Sequence, residues 1–320
     1  MRQFLLTTAV LLAACSQPSS SKIDVDLATS AMEVMSADAM QGRRTETQGN
    51  QMARDYLVEQ ATQLNGGVAP DLHAFTYELD RRGEVRTISG TNIIVNIPGK
   101  TDGGPVLEIT AHYDHFGTRD DEIFNGADDN ASGSGALLSI LKSLRETPPE
   151  HEINIVWFDA EEMGHGGSGE YVKTRLDDRP RINMNLDMIA QNKDGIIYMA
   201  GAYHTPALKP LVEMAAEAVD LEVRFGHDRP EDGADDWTGQ SDHRAFHQVG
   251  IPFVYFGVED HPHYHQASDE FDTIPLETYR NAVRLAVKTA YVLDENLDAI
   301  AQSPSAKTPA STEPPVSTEP

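Results

Sequence analysis

The sequence predicts an α/β fold, a three-layer sandwich with a mostly parallel central sheet covered by helices on both faces. Short apolar segments alternate with helical patterns, as in chains that cross from one parallel strand to the next. Four of those segments run straight into acids or histidines, and ligands of open α/β sheets bind beyond the carboxyl ends of the strands. No internal repeat or second domain interrupts the pattern.

Residues 48–63 form the first expected helix, with Met52, Tyr56, Leu57 and Leu64 at helical spacing. Residues 91–97 (TNIIVNI) are β-branched and stop at Pro98-Gly99, a strand and a turn. Residues 106–111 form a strand that runs into HYDH. Residues 136–144 (ALLSILKSL) form a helix, opened by Ser-Gly residues and closed by Pro148-Pro149. A buried strand follows over 153–158, and further strands over 182–188, 196–199 and 251–256. Residues 206–219 and 278–293 are expected helices, the second strongly amphipathic. Residues 226–240 (GHDRPEDGADDWTGQ) are polar and aperiodic, a long surface loop beside the expected site.

The ends of the 320-residue chain read differently. MRQFLLTTAVLLAACS combines Arg2 with an apolar stretch too short for a transmembrane helix, the form of a secretory signal. Leu12-Ala13-Ala14-Cys15 resembles the lipobox of bacterial lipoproteins. That resemblance implies a signal over 1–14, lipid on Cys15, and a tether over 15–23; Ser16 resembles the sorting signal for the outer membrane, facing the periplasm. Cys15 is the single cysteine, so a monomer can form no disulfide. The domain is expected over 24–302. Residues 303–320 are Pro/Ser/Thr-rich without apolar periodicity, a disordered tail. A net charge of −26 argues against nucleic-acid partners and against charge-driven binding to anionic lipid, which leaves the lipid on Cys15 as the expected membrane contact.

The strand ends carry the chemistry. Residues 106–111 deliver His112, Asp114 and His115; 153–158 deliver Asp159, Glu161 and Glu162; 182–186 deliver Asp187. Residues 251–256 lead to Glu259 and HPHYHQASD, and Asp128 and Asp129 precede a glycine-rich helix start. Buried carboxylates without compensation are very costly, so this convergence points to a cation. Imidazole and carboxylate without thiolate favour zinc, with cobalt or manganese next.

HYD at 112–114, GADDNASG at 126–133, FDAEEMG at 158–164, NLDM at 185–188, SDHRAF at 241–246 and YHQASD at 264–269 together resemble the co-catalytic dizinc aminopeptidases of family M28, in that family's order. The early AMQGRRTETQGNQMARDYL resembles its N-terminal region. The resemblance implies a zinc exopeptidase-like fold and two zinc ions. His112 and Asp187 would bind one, Glu162 and His265 the other, with Asp129 bridging. It implies Glu161 as general base for a hydroxide held between the metals, Asp114 supporting His112, and peptides with a free N-terminus as substrates. Residues two apart on a strand share a face, which independently suggests that the Asp114 carboxylate orients His112. His115 reads as a loop residue, Asp128 as a cap or turn, His261 and His263 as rim, Asp242 and His243 as structural or supporting, Asp159 as loop support, and Asp120, Asp121 and Glu122 as a solvated loop. A carboxypeptidase, with Arg119, Arg224, Arg229 or Arg244 holding a terminal carboxylate, and a one-zinc glutaminyl cyclase are the alternatives. A non-catalytic scaffold would have lost ligands that are all present here.

Overall fold

The computed structural model describes residues 23–302. The expected signal, Cys15, nearly all of the tether and the expected tail lie outside the described residues. An eight-stranded mixed sheet forms the middle layer. Its centre is four parallel strands: β6 (Glu152–Phe158), β3 (Val106–His112), β7 (Arg181–Leu186) and β10 (Phe253–Gly257). β2 (Glu84–Ile97) joins β6 antiparallel and carries β1 (Asp71–Arg81) at that edge. On the other side β8 (Ile196–Ala200) runs antiparallel to β10, followed by β9 (Glu222–Phe225). A separate hairpin of β4 (Gly117–Arg119) and β5 (Glu122–Phe124) holds Asp120 and Asp121 in its exposed turn.

Period-two alternation sets the two faces. Leu107, Ile109, Ala111, Ile153, Ile155, Trp157, Ile182, Met184 and Leu186 enter the main core, which includes α1 (Val25–Met35), α2 (Gln48–Leu64), α3 (Gly133–Glu146) and α7 (Leu276–Glu295). Ile94, Val156 and Phe158 point the other way, onto Tyr171 of α4 (Gly166–Arg175) and Phe246 of α6 (His243–Gln248). α7 shows why such helices form: Tyr279, Ala282, Val283, Ala286, Val287, Ala290 and Leu293 are buried at three- and four-residue spacing. Between β3 and β7 the second face is polar. Asn183 donates to Thr110 Oγ1 (2.9 Å), Thr110 to Asn185 Oδ1 (2.7 Å) and Asn185 to Ser241 Oγ (2.9 Å), a buried polar ladder in which only Asn183 Oδ1 lacks a partner.

Several elements differ from the sequence expectation. The 91–97 strand begins at Glu84, because it pairs along its length with β1, an unexpected strand, through a two-residue turn at Arg82-Gly83. α1, α4 and β9 were not expected. The 206–219 helix divides into a 3₁₀ turn (Pro206–Leu208) and α5 (Lys209–Ala216). Residues 230–239 carry two short 3₁₀ turns, and Trp237 stacks flat on His227 with centroids 3.8 Å apart. α8 (Leu297–Ala301) ends the described chain. No helix among the described residues is long and apolar enough to cross a membrane.

Candidate metal centre

Because β3, β6, β7 and β10 run parallel, their carboxyl ends meet at one edge, where His112 pairs with Phe158 and Phe256 with Leu186 in the strand register. The loops leaving that edge bring the expected residues together. His112 Nε2 lies 3.2 Å from Asp187 Oδ1 and 3.4 Å from Asp129 Oδ1. His265 Nε2 lies 3.4 Å from the other oxygen of Asp129. His115 Nδ1 lies 2.8 Å from Glu162 Oε1 and 3.7 Å from Asp129 Oδ2. Two sets of potential ligand atoms result, His112–Asp129–Asp187 and His115–Asp129–Glu162, each within 4.8 Å, with Asp129 common to both.

The framework around them is built from hydrogen bonds. Asp129 precedes α3, where Gly133 passes so close to the Leu186 carbonyl that a Cβ would collide with it. The amides of Asp128 and Asp129 donate to the Asp269 carboxylate at 3.0 Å. Arg43, fully buried, donates to the carbonyls of Met35 (2.6 Å), Tyr113 (2.9 Å), Asn125 (2.5 Å) and Gly126 (2.9 Å), tying α1 to two of the metal-centre loops. The Asp159 carboxylate accepts from Thr45, Asn50, Thr91, Tyr113 and Ala160. Asp114 lies beside His112 and makes further contacts that were not expected. Its carboxylate accepts the amides of Glu161 (3.0 Å) and Glu162 (3.3 Å), while its Oδ1 stands 3.7 Å from His112 Nδ1 and its own carbonyl is nearer at 3.2 Å. The strand ends at His112, so alternation does not extend to Asp114.

The residues placed outside the site divide. His115 does lie in a loop, but it is buried against Glu162. Asp128 is buried, accepts the Ala190 amide at 2.7 Å, and faces His261 at 3.2 Å. His263 Nδ1 meets Ser268 Oγ at 3.0 Å. His243 bonds the Trp237 carbonyl at 2.8 Å. His165 was missed altogether: its Nε2 lies 3.0 Å from Glu161 Oε1, through a turn at 161–165 that the sequence did not announce. Arg43 was passed over inside a stretch noted only for resemblance.

Electrostatics favour a positively charged guest. Burial pushes Glu162 well up, helped by Asp129 and Glu161 beside it. Burial opposes the charge on Asp129 as well, but His115, His112 and His265 hold it well below the usual carboxylate range. For His112 burial is overcome by Asp187, Asp114 and Asp129, which raise it well above an ordinary imidazole. Burial drops His115 to about 3, and its Nε2 has no hydrogen-bond partner. With Glu162 pushed up by burial and its acidic neighbours and Asp129 held charged by imidazoles, the centre favours added positive charge, which a divalent cation supplies. Imidazole and carboxylate donors fit zinc.

The model of Peptidase family M28 matches residues 92–290. Aminopeptidase YwaD of Bacillus subtilis is 28% identical over 198 residues, 58% of this chain and 40% of that protein. The probable glutamate carboxypeptidase VP8 of Zea mays is 31% identical over 231 residues, 64% of this chain and 29% of that protein. The chain therefore spans less than half the length of either relative. In structure, it resembles a zinc aminopeptidase from Bacillus subtilis with a TM-score of 0.68 at 18% identity, over 84% of this chain and 95% of that one.

Proposed function

The chain belongs to peptidase family M28, and on that premise we propose that it is a two-zinc aminopeptidase with Glu161 as its general base. The observation that carries this reading is Asp129, which faces one imidazole–carboxylate group with each oxygen. His112 and Asp187 would hold one ion and Glu162 and His265 the other, with Asp129 between them. His115 at 2.8 Å orients the Glu162 carboxylate. When bound, two zinc ions supply Lewis acidity to a water and to the scissile carbonyl.

The protein's own residues do the rest. Asp114 grips the amides of both glutamates and so fixes the turn that presents Glu161. Glu161 takes a proton from the attacking water and passes it to the leaving amine. Tyr264 stacks on His265 and Phe116 packs between His115 and His265, limiting water at this side of the centre. One observation favours carboxypeptidase action as the second reading: the Arg119 guanidinium lies 4.0 Å over the Phe116 ring, a cation beside the centre. In either case the proposed setting is the cell envelope, with lipid on Cys15.

A panel of aminoacyl-4-nitroanilides, N-acetylated controls and N-blocked peptides with free carboxylates, each assayed with and without chelator, tests the proposal. The expected result is chelator-sensitive hydrolysis confined to substrates with a free amine. Cleavage of the N-blocked peptides from their carboxyl end supports the second reading, and cyclisation of N-terminal glutamine would point to acyl transfer instead.

A further inference from the structure

His165 belongs to none of the candidate ligand groups, yet it is placed on the proposed base. The chain turns tightly after Glu162: the amides of Gly164 and His165 both donate to the Glu161 carbonyl at 2.8 Å, and His165 itself has φ +60°. This turn folds the imidazole back so that Nε2 stands 3.0 Å from Glu161 Oε1, with both side chains largely buried. Just ahead of α6, Asp242 is fully buried and neither of its oxygens accepts a well-formed hydrogen bond. An acid buried in that state is costly unless a positive group faces it. Burial and the charge of Glu161 raise Asp242 to about 7, while His112 and His165 act against that rise. For His165, burial is outweighed by Glu161 and then by Asp242. The histidine thus contacts the Glu161 carboxylate directly, and the charge of Asp242 acts on it from a different loop.

We propose that His165 is a positioning residue for the general base: its Nε2–H holds one oxygen of Glu161, leaving the other directed at the water. The inference rests on the base assignment made above. Its consequence is confined to the proton-transfer step. Glu161 freed from His165 is still present and the zinc ligands are untouched, but the carboxylate samples orientations in which it cannot reach the water.

The test uses the zinc-loaded full chain and an aminoacyl-4-nitroanilide that it hydrolyses. His165→Leu is expected to lower kcat roughly 10- to 100-fold, the scale of a misplaced catalytic group, with KM and zinc content near those of the parent. His165→Gln, whose side-chain amide can donate from a similar place, recovers most of that loss. In the zinc-free chain, the imidazole ¹⁵N resonances of His165 shift on Glu161→Gln. The proposal is overturned by a His165→Leu enzyme with parental kcat, by a loss that appears in KM or zinc content, by a His165→Gln enzyme as slow as His165→Leu, or by ¹⁵N resonances indifferent to Glu161→Gln. The base assignment fails separately: a Glu161→Gln enzyme with parental turnover removes it whatever the His165 variants do.

Discussion

Asp129 and His243 show how buried ionisable groups are driven to opposite charge states. Asp129 is kept charged by three imidazoles, despite burial. His243 is kept neutral: burial lowers it from 6.5 to about 3, and it sits against Phe253 and Tyr255 with one bond to the Trp237 carbonyl. A depressed folded pKa has no effect on stability above pH 6.5, where both folded and unfolded forms are neutral. Below it the unfolded chain binds a proton that the folded chain refuses, so stability falls with pH until about pH 3. At pH 5 this amounts to about 2 kcal/mol. His243→Gln, which keeps a donor for Trp237, should lose about 2 kcal/mol less than the parent between pH 7 and pH 5 in denaturant titrations. Parallel losses in the two proteins would show that His243 is not held neutral. The sequence marked the ligand candidates because they follow apolar strands, and His115 shared that signal, but its contact with Glu162 depends on how the HYDH loop folds.

At the scale of elements, Arg43 decides whether the loops of the centre stay together. Its guanidinium satisfies four carbonyls drawn from α1, the loop after β3 and the loop before α3. Arg43→Met strands those acceptors in a dry interior, at a cost of about 3 kcal/mol or more. It should lower the thermal midpoint and weaken zinc retention together, measured by calorimetry and by competition with a chelator. An unchanged midpoint would mean that water replaces the guanidinium without penalty. The elements that hold the ligands were the legible ones. β3, β6, β7 and β10 are almost wholly buried, and β3, β6 and β10 read as largely apolar runs. β1 was illegible because, at the sheet's edge, it exposes most of its length and mixes acids and bases among its aromatics. α4 gave no helical stripe: it opens with glycines, and its buried residues are mainly Gly and Ser.

The whole molecule is a mixed sheet whose four parallel strands bring their loops to a single edge, so residues 75 positions apart, His112 and Asp187, meet at 3.2 Å. The three-layer arrangement was legible from the alternation of strands and helices. The antiparallel flanks were not, since strand direction depends on connections that leave no mark in composition. The order of the motifs indicated which ends converge, but not that Asp114 would also grip both glutamate amides. The claim that joins these levels is that the edge holds two zinc ions through non-equivalent glutamates, Glu162 as ligand and Glu161 as base. Zinc per chain, measured by elemental analysis on the parent, Glu161→Ala and Glu162→Ala proteins purified alike, tests it most directly. The account predicts about two ions in the parent and in Glu161→Ala, and about one in Glu162→Ala. A parent with one ion or none, or a Glu161→Ala protein that loses zinc while Glu162→Ala keeps it, would contradict it.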